Sequence, residues 1–393
     1  MSWFPSYLKP EESGWRFDIL ILLAVIGSAA TQKHIPAITA TTLSVIPRLL
    51  PSPETLLGTD RASRLPALKN VKVVGIQSGT LTHELNYFAN LIHNVESLEQ
   101  YTVRKFDIGY RTGDDLESKG DTDQSPSEKE VPPLRINYFS WLNVATVLSI
   151  LMTVGLFVAA GVLRDGVALL ALATMACSTS AASFSAWWSP ELSERTAKCE
   201  VPRADIAIIT RGGAFIIVHC EEQIARELYM GADVSRYTLN GRPHQIVLAT
   251  STLLLMASVV FFSNCSGKMQ IAIGAAYFIL NILYWLLALL VEPRKTWNLE
   301  HRYHVEEQEL KYEGNKNFTN ALWLAIRHTG QTRWAKRADI VPVTDSWEKW
   351  LEEARQNAGN PFWPAIARKN ELMRQAKFES DVFDLEQMVS LRR

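Results

Sequence analysis

The sequence predicts a mainly α-helical, polytopic membrane protein built on two helical hairpins. Three observations predict this fold class. Four long apolar runs carry no charged residue, although the overall hydrophobic content of 47% is that of an ordinary globular protein. These runs come in two closely spaced pairs. The polar remainder has strand and helix patterns of its own, which predict a small cytosolic β-hairpin–helix unit and amphipathic C-terminal helices.

The first predicted hairpin covers residues 141–188. Its runs are Trp141–Leu163 and Gly166–Trp188, separated only by Arg164 and Asp165. A helix needs about 20 apolar residues to cross about 30 Å of hydrocarbon. Both runs are long enough, and the short break permits only an antiparallel pair. The second predicted hairpin, residues 245–291, repeats the arrangement around a polar turn at residues 264–268.

The N-terminal region contains a weaker apolar run. Ile19–Thr31 has 13 residues between Asp18 and Lys33, which is short for a full crossing. We favour a short transmembrane span over residues 17–31, preceded by an extracytosolic segment, residues 1–16. A re-entrant segment and a cleaved signal peptide are the alternatives.

Charge asymmetry predicts the orientation of the hairpins. The two turns carry one basic residue each, Arg164 and Lys268, whereas the opposite side is richer in lysine and arginine. Because basic loops stay inside, residues 32–140, the 189–244 loop and the 292–393 tail are expected in the cytosol. Within the first of these, residues 113–133 are acidic and poor in apolar groups, as in disordered linkers. The sequence does not indicate which membrane is used.

The 189–244 loop contains the clearest soluble pattern. Asp205–Thr210 and Ala214–Cys220 predict a β-hairpin around two glycines, and a helix follows. Arg236–Leu239 is a candidate third strand. We expect one apolar strand face to need a cover, which could be the tail, the bilayer surface or a partner. The residues assigned to this face are Ile206, Ile208, Phe215 and Ile217.

Further strands and helices are predicted on either side of this loop. Val71–Ile76 and Tyr101–Ile108 have strand patterns around a helical Leu81–Leu98. The tail predicts helices at Phe318–His328, Ser346–Ala358 and Ala365–Phe378. The second of these places Trp347, Trp350 and Leu351 on one face. These three residues complete the candidate interaction surface, either as a cap on the hairpin or as a membrane-binding face.

The sequence predicts no catalytic residue, cofactor or metal ligand. The net charge of -1 argues against nucleic-acid binding. The four cysteines form no CxxC pair, and unpaired thiols are favoured over a Cys199–Cys220 bridge. His219 and Cys220 would point to opposite faces of a strand. His301, His304 and Glu307 could share a helical face, but a metal site is disfavoured there.

The four long runs contain no Asp, Glu, Lys, Arg or His. Ion-coupled transporters and intramembrane enzymes generally need such groups at depth, so both classes are disfavoured. Thr174, Ser178, Ala182 and Ala186 recur every fourth residue. We interpret them as a helix-packing face, with a polar pore lining as the alternative.

Three stretches suggest a family. RADIAIITRGGAFIIVHCEEQIARELYMG with the later NCSGKMQIAIGAAYFILNILYW, and the tail pattern ALWLAIRHTGQTRW…WEKWLEEA, resemble a family of uncharacterised fungal multi-pass membrane proteins. The resemblance covers roughly residues 141–360 and implies a fungal origin. It implies no catalytic or ligand residue.

The predicted function is that of a non-enzymatic, membrane-anchored adaptor or sensor. Its expected partners are the lipid bilayer and a cytosolic protein, with the oligomeric state left open. A carrier or channel for an uncharged or lipophilic solute is the first alternative. An accessory membrane subunit of an enzyme or biosynthetic pathway is the second.

Overall fold

The computed structural model describes residues 28–58, 61, 63–111, 134–137, 139–193, 203–231, 233–311 and 316–390. The chain forms two compact units. The helical unit comprises Met1–Ser63, Pro133–Glu191 and Ser235–Asn298, and the sheet unit comprises Arg64–Pro132, Leu192–Val234 and Leu299–Arg393. The predicted region 32–140 is therefore divided between the two units. The predicted segment 1–16, most of 17–31 and the linker 113–133 lie outside the described residues.

The helices among the described residues are numbered in chain order. They are α1 (Ser28–Thr39), α2 (Tyr87–His93), α3 (Trp141–Val162), α4 (Gly166–Ser185), α5 (Glu222–Ala225), α6 (Arg242–Ser263), α7 (Gly267–Leu290), α8 (Pro293–Thr296), α9 (Leu299–Arg302), α10 (Phe318–Thr329), α11 (Arg333–Arg337), α12 (Asp345–Gln356) and α13 (Ala365–Ser390).

The strands are numbered in the same way. They are β1 (Leu68–Gly75), β2 (Leu81–Leu85), β3 (Val103–Tyr110), β4 (Trp188–Glu191), β5 (Ile206–Thr210), β6 (Phe215–Cys220), β7 (Val234–Tyr237) and β8 (Tyr303–Leu310).

Helices α3, α4, α6 and α7 confirm the four predicted apolar helices. Each has 20 to 24 residues and is long and apolar enough to cross a membrane. Helix α4 ends at Ser185, before the predicted Trp188, because Trp188 begins strand β4. Helix α6 starts at Arg242 with a proline in its first turn, where the missing N–H of proline costs nothing.

The two hairpins are joined at their turns. The Asp165 side chain caps α4 by accepting a hydrogen bond from the Ala168 N–H at 2.9 Å. It also accepts one from the Ser266 N–H at 2.8 Å in the other turn. Both turns therefore lie at one end of the helical unit, here called the turn end. The opposite end, where α3 and α6 begin and α4 and α7 finish, is the open end.

The sheet unit is built on a six-stranded mixed sheet. Its strand order is β2-β1-β5-β6-β3-β8. The predicted hairpin is confirmed as the antiparallel pair β5 and β6, which lies at the centre of this sheet. Strand β3 is parallel to β6, and the other pairs are antiparallel. The predicted third strand was wrong in its pairing, because β7 pairs with β4 in a separate two-stranded sheet.

The residues predicted to share one hairpin face lie on two faces. Ile208 pairs with Ile216, and Ile209 pairs with Phe215. Directly opposed residues point to the same side of a sheet. Ile206 and Ile208 therefore lie on the first face, whereas Phe215 and Ile217 lie on the second, and the predicted grouping was wrong.

Both faces are covered by the sheet unit itself. On the first face, helix α2 packs its His93 ring against Phe106 of β3 at 4.4 Å between ring centroids. On the second face, Phe215 and Ile217 join one hydrophobic cluster with tail residues. The large tail side chains in that cluster include Leu322, Trp323, Trp334, Trp350 and Leu351. The tail therefore covers the second face of the sheet, one of the three covers considered from the sequence.

Some predicted secondary structure differs from the structure. Leu81–Leu85 is strand β2 rather than helix, because it pairs with β1. Helix α2 ends before Asn94, whose φ of 45° is left-handed. In the tail, α12 is capped by Thr344 and begins at Asp345, one residue before the predicted start at Ser346. Strands β1 and β3 and helices α10 and α13 are confirmed, with α13 longer than predicted.

Candidate functional site

The helical unit contains a non-helical segment packed among its apolar helices. This inserted segment, residues 42–57, has short 3₁₀ turns at Thr42–Val45 and Pro53–Leu57 and extended backbone between them. Leu49 and Leu50 are buried in the cores of the helical unit. Irregular backbone in an apolar interior must find hydrogen-bond partners. The neighbouring helices supply them from hydroxyl side chains.

Serine and threonine residues of α3 and α4 hold the segment. Thr153 accepts a hydrogen bond from the Leu49 N–H at 2.9 Å, and Ser149 donates to the Leu49 carbonyl. From α4, Thr179 donates to the Arg48 carbonyl and Ser180 to the Val45 carbonyl. The hydroxyl groups of these apolar helices therefore serve as partners for the inserted backbone.

The segment enters and leaves at the open end. Before it, the Pro36 carbonyl accepts a hydrogen bond from the Trp188 indole at 2.9 Å. After it, Arg61 donates to the Ser185 carbonyl at the end of α4. Between these points, Leu49 reaches Thr153, which lies 12 residues beyond the start of α3. At 1.5 Å per residue, the segment penetrates about 18 Å along the helix.

Arg48 lies near the deepest point of this segment and is 1% exposed. Its Nη1 donates to the Leu43 and Ser44 carbonyls, both at 2.9 Å. The phenol of Tyr284, on α7, faces the guanidinium. Tyr284 lies six residues, about 9 Å, before the end of its helix at Leu290. The arginine is therefore held inside the helical unit and away from both ends.

Arg48 has unused hydrogen-bonding capacity. Within the described part of the chain, Nε and Nη2 make no hydrogen bond of good geometry. The Tyr284 hydroxyl interacts with the guanidinium and with the Thr146 side chain, but neither contact has the geometry of a full hydrogen bond. None of the ion pairs found there includes Arg48. A buried, unpaired cation is costly. We therefore regard Arg48 and Tyr284 as the candidate functional site.

The sequence patterns did not predict this site. The four apolar runs carry no charged residue, but a segment outside them brings an arginine into their midst. The available signal was a lone cation in the apolar, proline-bounded stretch Ile46-Pro47-Arg48-Leu49-Leu50-Pro51. Periodicity does not assign such a stretch to helix or strand, and only its contacts place it inside the unit.

The predicted helix-packing face of α4 includes an interhelical contact. The Ser178 hydroxyl donates to the Ser251 carbonyl of α6 at 2.7 Å, and the Ser251 hydroxyl donates back to the Ser178 carbonyl at 2.8 Å. Ala182 is buried beside Tyr284 in the core at the open end. Thr174 instead donates to the Leu170 carbonyl of its own helix at 2.8 Å, and Ala186 lies just past the helix end.

The candidate interaction surface lies mostly in the interior of the sheet unit. Six of its seven members are at most 1% exposed, and Trp347 is half-buried. The buried members are Ile206, Ile208, Phe215, Ile217, Trp350 and Leu351. The structure brings Phe215 and Ile217 together with Trp350 and Leu351, but it leaves Ile206 and Ile208 on the other face. These apolar side chains therefore stabilise the fold.

The sheet unit has its own buried charge pair. Glu227 accepts hydrogen bonds from Arg302 Nη2 at 3.0 Å and from the Tyr303 hydroxyl at 2.8 Å. Glu227 lies in a π-helical turn, Arg226–Met230, a geometry that is frequent at functional sites. Here both charges are paired and buried, which is the arrangement of a structural ion pair.

The histidine and cysteine residues considered from the sequence do not form a joint site. His219 Nδ1 pairs with Asp205 Oδ1 at 2.9 Å. Burial raises the pKa of Cys220 to about 12, so its thiol is unreactive near neutral pH. Cys220 is unpaired, and Cys199 lies outside the described residues. His301 is in α9 and His304 is in β8, so the helical face considered for them does not exist.

Among the residues that the structure describes, no group of three or more His, Cys, Asp and Glu could hold a metal ion. Comparison of the chain with protein-family models, with curated proteins and with solved structures finds no match.

Proposed function

We propose that the chain is a multi-pass integral membrane protein that acts as a non-enzymatic adaptor or sensor. In this proposal α3, α4, α6 and α7 cross the bilayer. The inserted segment re-enters from the open end, and the sheet unit lies in the cytosol. The fungal family membership remains part of the proposal. The observation that supports the membrane location is the apolar exterior of the four helices.

That exterior is rich in large aliphatic side chains. Soluble proteins rarely expose contiguous apolar patches of this kind, whereas lipid-facing helices require them. The members that are more than half exposed include Val144, Leu151, Val158, Leu253, Ile271 and Leu289. Because the sheet unit has a hydrophobic cluster of its own, it needs no bilayer to cover its sheet. An apolar exterior on the four helices, together with a sheet unit that covers its own sheet, favours a soluble domain anchored by membrane helices.

The membrane topology is testable with single cysteines in a background without the native ones. In sealed cells, we expect a membrane-impermeant maleimide to label Lys268→Cys, in the first turn of α7 at the turn end. Arg211→Cys, in the β5–β6 turn, should react only after permeabilisation. The reason is that one crossing, helix α6, lies between Arg211 and Lys268 and places the two residues on opposite sides of the membrane.

Two controls accompany this experiment. The protein should stay in the membrane fraction after alkaline carbonate extraction, and both cysteines should react equally in detergent. Labelling of both positions without permeabilisation, or release by carbonate, would contradict the proposed topology.

The adaptor role requires a protein partner. Cross-linking of the full-length chain in native membranes should recover a specific cytosolic protein. Recovery should be lost in Trp350→Ala, which removes a buried side chain of the sheet unit. If only lipids and chaperones are recovered, the adaptor role is rejected. Co-purification with an enzyme would instead identify the chain as an accessory subunit.

A carrier or channel is the second candidate, favoured by the hydroxyl-rich α4. The contacts of Ser178 argue that this residue packs helices together. We expect Ser178→Ala to lower stability by about 1–2 kcal/mol, since buried Ser251 groups lose their partner. Thermal unfolding in detergent measures this loss. Thr174→Ala is the matched control, since its hydroxyl bonds within its own helix. Loss of solute flux at unchanged stability would favour the carrier.

A further inference from the structure

We propose that Arg48 and Tyr284 bind an oxyanion, a carboxylate or phosphate group, inside the helical unit. The proposal goes beyond the adaptor or sensor role and rests on the proposed membrane location only for the source of the ligand.

The unpaired nitrogen atoms of Arg48 form one edge of its guanidinium. Nη1 is occupied by the Leu43 and Ser44 carbonyls. Nε and Nη2, which remain without a partner among the described residues, present parallel N–H groups. This edge is the fork that binds carboxylate and phosphate groups in a bidentate manner. The two carbonyl contacts therefore fix the guanidinium and leave its anion-binding edge available.

A third donor lies beside this edge. The Tyr284 phenol faces the guanidinium and the Thr146 side chain, and among the described residues neither contact has the geometry of a full hydrogen bond. Tyr284 is 0% exposed. Two unpaired N–H-bearing nitrogens and one hydroxyl thus meet in an interior from which water is largely excluded. Buried donors without acceptors are costly, and an oxyanion would satisfy all three.

The charge of Arg48 also favours a bound anion. Coulomb attraction to a counter-charge strengthens as the surroundings become less polar. Within the described residues the partner found for the guanidinium side chain, besides carbonyl groups, is the neutral phenol of Tyr284. One bound monoanion would neutralise Arg48 and lower the cost of keeping a cation among Ile38, Leu50 and Leu287, which share a core with Tyr284.

The chemistry admits two sources of the oxyanion. It could be the head group of an acidic amphiphile from the bilayer, whose hydrocarbon chain suits the apolar neighbours. It could also be a small oxyanion from the aqueous side that enters at the open end. The experiment distinguishes them by comparing oleate with acetate and phosphatidic acid with inorganic phosphate.

The test uses the full-length protein in a neutral detergent. We expect one or more of these four probes to raise the unfolding temperature of the wild type saturably. Arg48→Met should weaken binding by at least about tenfold, because a charge-assisted bidentate pair is lost. A response to oleate or phosphatidic acid alone assigns the bilayer source. An equal response to acetate or phosphate assigns the aqueous one.

The controls separate this site from general charge attraction and from misfolding. Arg242→Gln removes an exposed arginine at the start of α6 and should bind as the wild type does. Arg48→Lys keeps the charge but not the fork, so it should bind weakly while folding normally. Tyr284→Phe removes only the hydroxyl and should weaken binding modestly.

Three results would overturn the proposal. They are the absence of any saturable shift in the wild type, wild-type affinity in Arg48→Lys, and equal weakening in Arg242→Gln. If Arg48→Met does not fold, Arg48→Lys decides. These outcomes are independent of the maleimide labelling, so a failed site and a failed topology can be told apart.

Discussion

Replacing Trp350 by alanine should lower the free energy of unfolding of the sheet unit by about 3–5 kcal/mol, the usual cost of truncating a buried aromatic residue. Trp350 is 0% exposed. Its ring lies 5.5 Å from that of Trp347 and 5.9 Å from that of Trp363. Its indole donates to the Ala365 carbonyl at 2.9 Å. The substitution therefore removes packing, leaves a cavity and orphans a buried carbonyl.

Trp347→Ala is the matched control, since it lies one turn earlier on the same helix and is half-buried. We expect a clearly smaller loss there. Urea unfolding of the purified full-length protein, followed by tryptophan fluorescence, measures both variants. The result distinguishes the two predicted roles of the tail. If Trp350→Ala left stability unchanged but reduced binding to vesicles, the tail would be a membrane-binding face.

The stability of the sheet unit should fall as the pH rises from about 4 to about 7, because of Asp233. This residue is 5% exposed. Burial raises its pKa to about 7, although the backbone N–H groups of Tyr87 and Phe88 act in the opposite direction. In the unfolded chain the pKa is about 3.9. The folded form therefore binds this proton more tightly than the unfolded form does.

The sign and size of this change in stability with pH follow from proton linkage. The contribution of protonated Asp233 is complete below the unfolded pKa and is lost as the pH rises through the folded pKa. A difference of about 3 pKa units corresponds to about 4 kcal/mol. Asp233→Asn keeps a neutral side chain at every pH. We expect it to flatten this part of the pH profile and to be more stable than the wild type at pH values of about 8.

Thermal unfolding across this pH range measures the effect. Asp339→Asn is the control, because Asp339 is exposed and its φ of 50° is tolerated by asparagine. It should follow the wild-type profile. Parallel pH profiles for wild type and Asp233→Asn would show that Asp233 is ionised without cost in the folded state, and the prediction would fail.

The sequence by itself determined the four apolar helices and their pairing into hairpins. Their signal is local, since an uninterrupted charge-free run of about 20 residues has few alternatives to a buried or membrane-spanning helix. The β5–β6 hairpin and the amphipathic helix α12 were also predictable. Each depends on residues within one turn or on one repeating face.

Only the tertiary structure decided which distant segments meet. The six-stranded sheet includes β8, whose pairing with β3 joins residues such as Val103 and Leu310. The position of the inserted segment depends on contacts such as that between Leu49 and Thr153. Local patterns do not encode such pairings, because many strands and hydroxyl groups of equal propensity compete for them. For the same reason, the charge-free spans did not predict a buried arginine among them. Arg48 belongs to the inserted segment, and only tertiary contacts place it inside the helical unit.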